Sequence, residues 1–224
     1  MTIGVWKALG RVSYSAALQI QERIAKERLE DRRPDTLLLL EHPPTITLGR
    51  RGSPADILWN GERLASAAIA VESVGRGGLA TYHGPGQLVG YPITRIRRGG
   101  RGVRQFVEAI EETLVEVIRG FGLLAERRRG HPGAWLGRNK VASIGIEVWR
   151  GISRHGFALN VDMDLAPFQA IVPCGTPGLD LIDLSRAAGE RISLAEAERA
   201  VVRAWRAQFG EIDEETRDGF EAVG

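Results

Sequence analysis

Strand-like segments in this chain come in clusters between helices and do not alternate with helices one by one. Each has the length of a strand and is rich in apolar or β-branched residues, and Arg150-Gly151 predicts a hairpin turn between the last two. The predicted strands are 36–41, 45–50, 133–137, 140–149 and 152–162. Clusters of strands flanked by helices predict an α+β sheet domain. They exclude the regular βα alternation of a dinucleotide-binding fold.

Three helices are predicted from apolar residues at helical spacing and from capping signals. The first follows Ser13 or Ser15 as N-cap and runs to about Leu29. The second begins near Val103 and ends at the glycines 120 and 122. The third follows a capping box of Ser193 and Glu196 and continues to residue 209.

The chain has a single cysteine, Cys174, among 224 residues. It cannot form an internal disulfide, so the fold depends on a hydrophobic core, and one domain over 1–224 is long enough to form one. The first residues lack the apolar segment of a secretory signal, and no run reaches the roughly 20 apolar residues of a membrane helix. With a net charge of only +2, we expect a soluble cytoplasmic protein that binds neither membrane nor nucleic acid.

A glycine-rich segment, Arg76 to Pro92, reads RGGLATYHGPGQLVGYP. Glycines allow a backbone to approach a ligand closely and leave N–H donors accessible. The segment is neither a P-loop nor a dinucleotide fingerprint, because it has no GK[ST] and no strand-to-helix GxGxxG. Composition alone equally fits an ordinary turn-rich loop.

The predicted hairpin carries small residues on both strands: Ala142, Ser143 and Gly145, then Gly156 and Ala158. Small residues that face one side can form the wall of a slot for a long apolar ligand. They can also admit a neighbouring helix, and the pattern does not decide between the two.

Cys174 lies between Pro173 and Gly175, in a turn-forming segment that would present its sulfur at a surface or cleft. A cysteine kept only for packing is usually surrounded by apolar neighbours in a helix or strand, so a nucleophilic role and a structural role are both open here. Because a thiol is mostly protonated at neutral pH, a nucleophile needs an adjacent cation or base.

The candidate partners of that thiol are one lysine and four histidines. Lys140 is notable because only three of the 30 basic residues are lysines. Lysine can exchange its proton, whereas arginine cannot. The histidines lack metal-ligand spacing, so we expect no metal and no cofactor. The candidates are Lys140, His42, His83, His131 and His155.

These segments together resemble the octanoyltransferases of lipoate biosynthesis. The family pattern RGG-x-x-TYHGPGQLV-x-YP stands at 76–92, and its EHPP-x-x-T-x-GR pattern at 41–50. Its K-[IV]-A-[SA]-IG, HG-x-ALNV and PCG patterns stand at 140–145, 155–161 and 173–175. The likeness covers roughly residues 3 to 210 in the expected order, which makes the combined pattern highly specific.

The resemblance implies mixed sheets flanked by helices, as in the catalytic domains of biotin and lipoate protein ligases. It implies that Cys174 carries the acyl group and that Lys140 favours its thiolate. It also implies substrate-binding residues in three groups, which are Arg76, Gly77, Gly78, Leu79, Ala80, Thr81, Tyr82 and His83; Ser143, Ile144 and Gly145; and Gly156, Phe157 and Ala158.

The resemblance further implies the two substrates. The donor would be octanoyl-acyl carrier protein, and the acceptors would be lipoyl domains of 2-oxoacid dehydrogenase E2 subunits and the glycine cleavage H protein. Because such partners are usually acidic, the arginines of 95–104 and 127–129 are candidates for a docking face or for an ordinary solvated surface. His83 is a candidate for orienting Lys140 or the acyl group.

Two residues depart from the family pattern. Thr176 stands where an aromatic residue often follows PCG, and Phe157 stands where leucine is common. We expect Phe157 to narrow the acyl slot. Two other functions fit the fold: an ATP-dependent lipoate–protein ligase, and a non-catalytic module that binds acyl carriers. Retention of both Cys174 and Lys140 argues against the second.

Overall fold

Two β-sheets organise the fold in the computed structural model, which describes residues 4–96 and 100–215. The larger sheet has the strand order β10-β1-β2-β6-β9-β8-β7, and the smaller has the order β4-β3-β5. Both are mixed, because β1 pairs in parallel with β2 and β10, and β3 pairs in parallel with β4. The strands are β1 Gly4–Arg11, β2 Thr36–Glu41, β3 Thr45–Leu48, β4 Ala70–Ser73, β5 Ala80–His83, β6 Gln87–Ile93, β7 Gly133–Leu136, β8 Asn139–Trp149, β9 Ile152–Asn160 and β10 Ile212–Glu214.

The described residues form five α-helices beside the sheets: α1 Tyr14–Leu29, α2 Gly61–Ser66, α3 Gly100–Arg119, α4 Leu184–Ala188 and α5 Leu194–Phe209. The hydroxyl of Ser13 accepts a hydrogen bond from the N–H of Ala16 and caps α1. The predicted capping box of Ser193 and Glu196 is present at α5. The predicted α+β class and its three long helices are therefore confirmed.

The buried apolar residues form separate clusters on the two faces of the larger sheet. Strand β2 shows why, since successive side chains of a strand point to opposite faces. Leu37 and Leu39 pack with α3 and α5, whereas Leu38 and Leu40 pack with α1. A third cluster, which includes Ile46 and Tyr82, lies at the smaller sheet.

The glycine-rich segment 76–92 is more ordered than its composition indicates. It contains β5 of the smaller sheet and β6 of the larger sheet, joined by residues 84–86. A side chain at Gly86 would collide with the carbonyl oxygen of Asp162, so this crossing requires glycine. The segment thus connects the two sheets beside the predicted site.

The strands β1, β4 and β10 and the helices α2 and α4 were not predicted. Strand β1 pairs with β10, which lies about 200 residues later in the chain, and pairings of this kind leave no local signal. Within residues 4–96 and 100–215, no helix combines the length and the apolar character needed to cross a bilayer.

Candidate active site

The Nζ atom of Lys140 lies 3.7 Å from the Sγ atom of Cys174, within hydrogen-bonding distance for sulfur. Lys140 is buried with 4% of its surface exposed, whereas Cys174 is half-buried. The fold therefore brings together the two residues that the sequence placed 34 positions apart. A primary amine beside a thiol can accept its proton and then stabilise the thiolate.

The segment after Cys174 is tied to the backbone of Lys140. The N–H of Lys140 donates to the carbonyl of Asp180 at 2.8 Å, and the N–H of Ile182 donates to the carbonyl of Lys140 at 3.2 Å. Both bonds join Lys140, near the start of β8, to residues that follow the cysteine in the chain. They hold the cysteine segment against the strand that carries the lysine.

Cys174 has a left-handed backbone conformation, with φ 54° and ψ 20°. Gly175 follows with φ 69°, and a side chain there would collide with Leu79 of the glycine-rich segment. Non-glycine residues seldom adopt positive φ, and functional sites are where such strain concentrates. The turn places the sulfur toward Lys140, in contact with the segment predicted to bind substrate.

A cavity of about 310 Å³ lies beside the Cys174–Lys140 pair. This volume is at the lower end of the range of about 300 to 1,000 Å³ that small-molecule pockets occupy. Its lining is largely apolar and includes Leu79, Val89, Ile144 and Phe157. Such a lining suits an apolar ligand.

Thirteen of the fourteen predicted substrate-binding residues line this cavity, and Tyr82 does not. The ring of Tyr82 packs edge-on against Phe168 at 5.4 Å in the third core cluster. Of the small hairpin residues, Ser143, Gly145, Gly156 and Ala158 line the cavity, but Ala142 belongs to the core on the α3 and α5 side. The small residues of the hairpin therefore contribute both to the cavity wall and to the core on the α3 and α5 side.

The sequence analysis did not predict several of the lining residues as substrate-binding. Val89, Tyr91 and His155 lie within a family pattern, and the others lie outside the patterns. They are Tyr14, Arg51, Val89, Tyr91, Val103, Val107, residues 130–132, Ile146 and His155.

Arg76 is a buried cation at this cavity, with 7% of its surface exposed. Its guanidinium donates to the carbonyls of Thr47, Gly77 and Leu79 and to the hydroxyl of Thr47, at 2.7 to 3.2 Å. Burial lowers its pKa, and interaction with the charges of Tyr14 and Cys174 opposes that effect. Arg76 therefore fixes the glycine-rich segment and places a positive charge near the cysteine.

Three histidines lie buried at the junction of the two sheets. The Nδ1–H of His42 donates to the carbonyl of Val12, and its Nε2 accepts from the hydroxyl of Tyr91, both at 2.7 Å. The Nδ1 of His83 bonds to the amide oxygen of Gln87 at 2.8 Å. Among the described residues, His83 makes no hydrogen bond to Lys140, so its predicted role narrows to the acyl group, because it lines the cavity.

Burial keeps these imidazoles neutral. Desolvation lowers the pKa of His42 to about 4 and that of His155 to about 3, and it holds the pKa of His83 well below its usual value. The Nε2 atom of His155 is buried without a hydrogen-bond partner in the described chain. At neutral pH His83 and His155 therefore supply polar but uncharged groups to the cavity wall.

The predicted arginine runs fall at different places. Arg97, Arg98 and the side chain of Arg101 lie outside the described residues. Arg95 pairs with Asp31 and Arg104 with Glu108. Arg127 to Arg129 immediately precede residues 130–132, which form an exposed edge of the cavity. Arg104 of the first run follows Val103, which also lines the cavity, so both runs have described residues next to the site.

No group of three metal-ligating side chains occurs in the part of the chain that the structure describes. The four histidines are divided between a buried aromatic cluster and the exposed His131. The groups at the cavity that can act on a bound substrate include the cysteine, the lysine and the polar lining.

Comparison with known proteins places the chain in a family. The lipoyl protein ligase A/B catalytic domain matches residues 13–206. An octanoyltransferase of Chloroflexus aurantiacus is 44% identical over 208 residues, which are 91% of each chain. An octanoyltransferase of Azotobacter vinelandii is 42% identical over 217 residues, covering 97% of this chain and 96% of the relative.

Two solved ligase structures have the same fold as this chain. A lipoate-protein ligase A bound with ATP superposes with a TM-score of 0.82 at 16% identity, over 96% of this chain and 88% of the ligase. A biotin protein ligase from Aquifex aeolicus superposes with a TM-score of 0.53 at 11% identity, over 93% of this chain and 69% of the other. The predicted likeness to both ligase folds is confirmed.

Proposed function

This chain belongs to the octanoyltransferases within the lipoyl protein ligase A/B catalytic family, and we propose that Cys174 carries the octanoyl group as a thioester during transfer. The donor is octanoyl-acyl carrier protein. The acceptors are lysines on lipoyl domains of 2-oxoacid dehydrogenase E2 subunits and the glycine cleavage H protein.

The observation that carries this proposal is the 3.7 Å contact between Lys140 Nζ and Cys174 Sγ at the edge of an apolar cavity. A thiol beside an amine supplies an activated nucleophile. The cavity supplies a place for the acyl chain while the sulfur reacts. Together they provide what acyl transfer between two protein partners requires.

In the first half-reaction, Lys140 takes the proton of the Cys174 thiol. The thiolate attacks the carbonyl carbon of the donor thioester, and the carbon–sulfur bond to the carrier breaks. Lys140 returns its proton to the departing carrier thiolate. The products are octanoyl-Cys174 and a free carrier thiol.

In the second half-reaction, the acceptor lysine amine attacks the carbonyl carbon of octanoyl-Cys174. A carbon–nitrogen bond forms and the bond to Sγ breaks. Lys140, now neutral, takes the proton from the attacking amine and passes it to the Cys174 thiolate. The exchange of thioesters is nearly balanced and amide formation is downhill, so neither step needs ATP.

The competing function is an ATP-dependent ligase, since a ligase shares the fold. Two incubations with a lipoyl-domain acceptor separate them: octanoyl-acyl carrier protein without ATP, and octanoic acid with ATP. We expect octanoylated acceptor only in the first. Product from the free acid and ATP alone would support the ligase instead.

Variants of the lysines test the role of the pair. We expect Lys140→Met to slow acylation of Cys174 by at least about 100-fold, the usual contribution of general acid–base catalysis. Lys26→Met is the matched control, because Lys26 is exposed on α1. Equal rates in the two variants would remove Lys140 from the mechanism.

A further inference from the structure

The cavity beside Cys174 carries basic side chains and no acidic ones among the residues that the structure describes. The basic side chains are those of Arg51, Arg76 and Lys140, and no described residue of the lining is an aspartate or a glutamate. A cleft lined by one sign of charge attracts ligands of the opposite sign. Because an octanoyl chain is uncharged, the lining indicates that an anionic group also approaches this cavity.

Two of these three cations already have partners within the protein. Arg76 is buried and donates to backbone carbonyls, and Lys140 is buried against Cys174. Arg51 is exposed, and within residues 4–96 and 100–215 its guanidinium forms no hydrogen bond and no ion pair. An exposed residue of the lining lies at the opening of the cavity, so this guanidinium is available to a ligand that enters there.

The backbone of Arg51 is held in place by hydrogen bonds. Arg50 and Arg51 are the central residues of a tight turn, in which the N–H of Gly52 donates to the carbonyl of Gly49 at 2.8 Å. The N–H of Arg51 donates to the carbonyl of Gly78 at 3.1 Å. The turn is therefore attached to the glycine-rich segment, and its position does not depend on a ligand.

The same segment contacts the turn that carries the cysteine. Leu79 follows Gly78, and its side chain occupies the space that a side chain at Gly175 would need. Gly175 directly follows Cys174. One short stretch of backbone thus positions both Arg51 and Cys174, and both belong to the lining of the cavity.

The donor in the proposed function carries an anion of the required kind. Its acyl group is attached to the carrier protein through a phosphopantetheine arm, and the phosphate lies at the protein end of that arm. A guanidinium binds phosphate through two parallel hydrogen bonds. We propose that Arg51 binds the phosphate of the phosphopantetheine arm at the opening of the cavity while the thioester reaches Cys174. This inference rests on the proposed function, because it assigns a binding residue to the donor.

Two small donors that differ only in the phosphate test the inference: octanoyl-phosphopantetheine and octanoyl-pantetheine. The measurement is the second-order rate constant of Cys174 acylation by each donor, followed by mass spectrometry. We expect Arg51→Gln to lower the preference for the phosphorylated donor about tenfold, the lower end for a hydrogen bond to a charged group. With octanoyl-pantetheine the variant should react as fast as the wild type.

Arg203→Gln is the matched control. Arg203 is exposed on α5, and no described residue of α5 lines the cavity, so its loss removes one surface charge without touching the site. We expect this variant to keep the preference of the wild type. Arg51→Lys retains the charge but not the paired hydrogen bonds, so it should retain part of the preference.

Octanoyl-acyl carrier protein provides a second measurement, which decides the question if the small donors react too slowly. Arg51→Gln should raise the KM for this donor by the same factor and leave kcat nearly unchanged. An unchanged preference between the small donors, or an unchanged KM for the carrier protein, would overturn the inference. An equal loss with both small donors would also contradict it, because Arg51 would then act on the acyl or pantetheine part.

Failure of this inference differs from failure of the proposed function. In every outcome that overturns the role of Arg51, wild-type protein still forms octanoyl-Cys174. If wild-type protein octanoylates the acceptor without forming octanoyl-Cys174, the proposed function itself fails.

Discussion

At the scale of single residues, the backbone of Cys174 is under strain. Its φ of 54° lies in the left-handed region, which costs an L-residue roughly 1 to 2 kcal/mol. Gly175 and the Leu79 contact fix the neighbouring chain, so the turn cannot relax without moving the glycine-rich segment. The strain is therefore a consequence of directing the sulfur toward Lys140.

A pair of substitutions measures this strain. Both Cys174→Gly and Cys174→Ala remove the thiol, but only glycine adopts positive φ without steric cost. We expect the glycine variant to be more stable than the alanine variant by about 0.5 to 1 kcal/mol, after the larger chain entropy of unfolded glycine is subtracted. Chemical denaturation of both proteins gives the difference. An alanine variant of equal or greater stability would show that this turn is unstrained.

The sequence predicted Cys174 and Lys140 because each lies in a local pattern. It could not predict Val107 or Tyr14, which reach the site only through the packing of α3 and α1. A helical residue has no local signal for what it meets across the core. Only the arrangement of the helices on the sheet reveals such residues.

At the scale of elements, the β8–β9 hairpin sets the width of the cavity. The ring of Phe157 fills the space that a side chain at Gly90 of β6 would occupy. Phe157 also lines the cavity and is buried, with an exposed fraction of 2%. The expected narrowing of the acyl slot therefore has a structural basis in the pairing of β6 with β9.

Phe157→Leu should widen the slot and shift the preference toward longer acyl chains. Two further buried methylenes are worth about 1.6 kcal/mol, so the rate with decanoyl relative to octanoyl carrier protein should rise by up to about tenfold. Phe168→Leu is the matched control, because Phe168 is buried in the third cluster, outside this cavity. An unchanged chain-length ratio in Phe157→Leu would show that Phe157 does not limit the slot.

The strands of the hairpin and the three long helices were predicted correctly because their patterns are local. The pairing of β1 with β10, and the division of residues 76–92 between two sheets, depend on contacts between distant segments.

At the scale of the whole molecule, the two sheets meet around His42, His83 and His155. All three are neutral in the fold because burial lowers the pKa of each. The unfolded chain binds protons on these histidines near pH 6.5, so it holds more protons than the folded state below that pH. Acid therefore favours unfolding at the junction that supports the site.

We expect the free energy of unfolding to fall as the pH decreases from 7 to 5, by about 1 to 2 kcal/mol for each buried histidine. Denaturant titrations at several pH values measure this slope. His131→Gln is the control, since His131 is exposed and its removal should leave the slope unchanged. A constant unfolding free energy over this range would mean that the histidines are not kept neutral.

The central claim is that Cys174 carries the acyl group, and mass spectrometry of the digested protein tests it directly. Wild-type protein is mixed with octanoyl-acyl carrier protein without an acceptor, quenched and digested. We expect one octanoyl group on the peptide that contains Cys174 and none in Cys174→Ser. The octanoyl group should leave this peptide when a lipoyl-domain acceptor is added. If wild-type protein forms octanoylated acceptor but never carries an octanoyl group on Cys174, then Cys174 is not the acyl carrier.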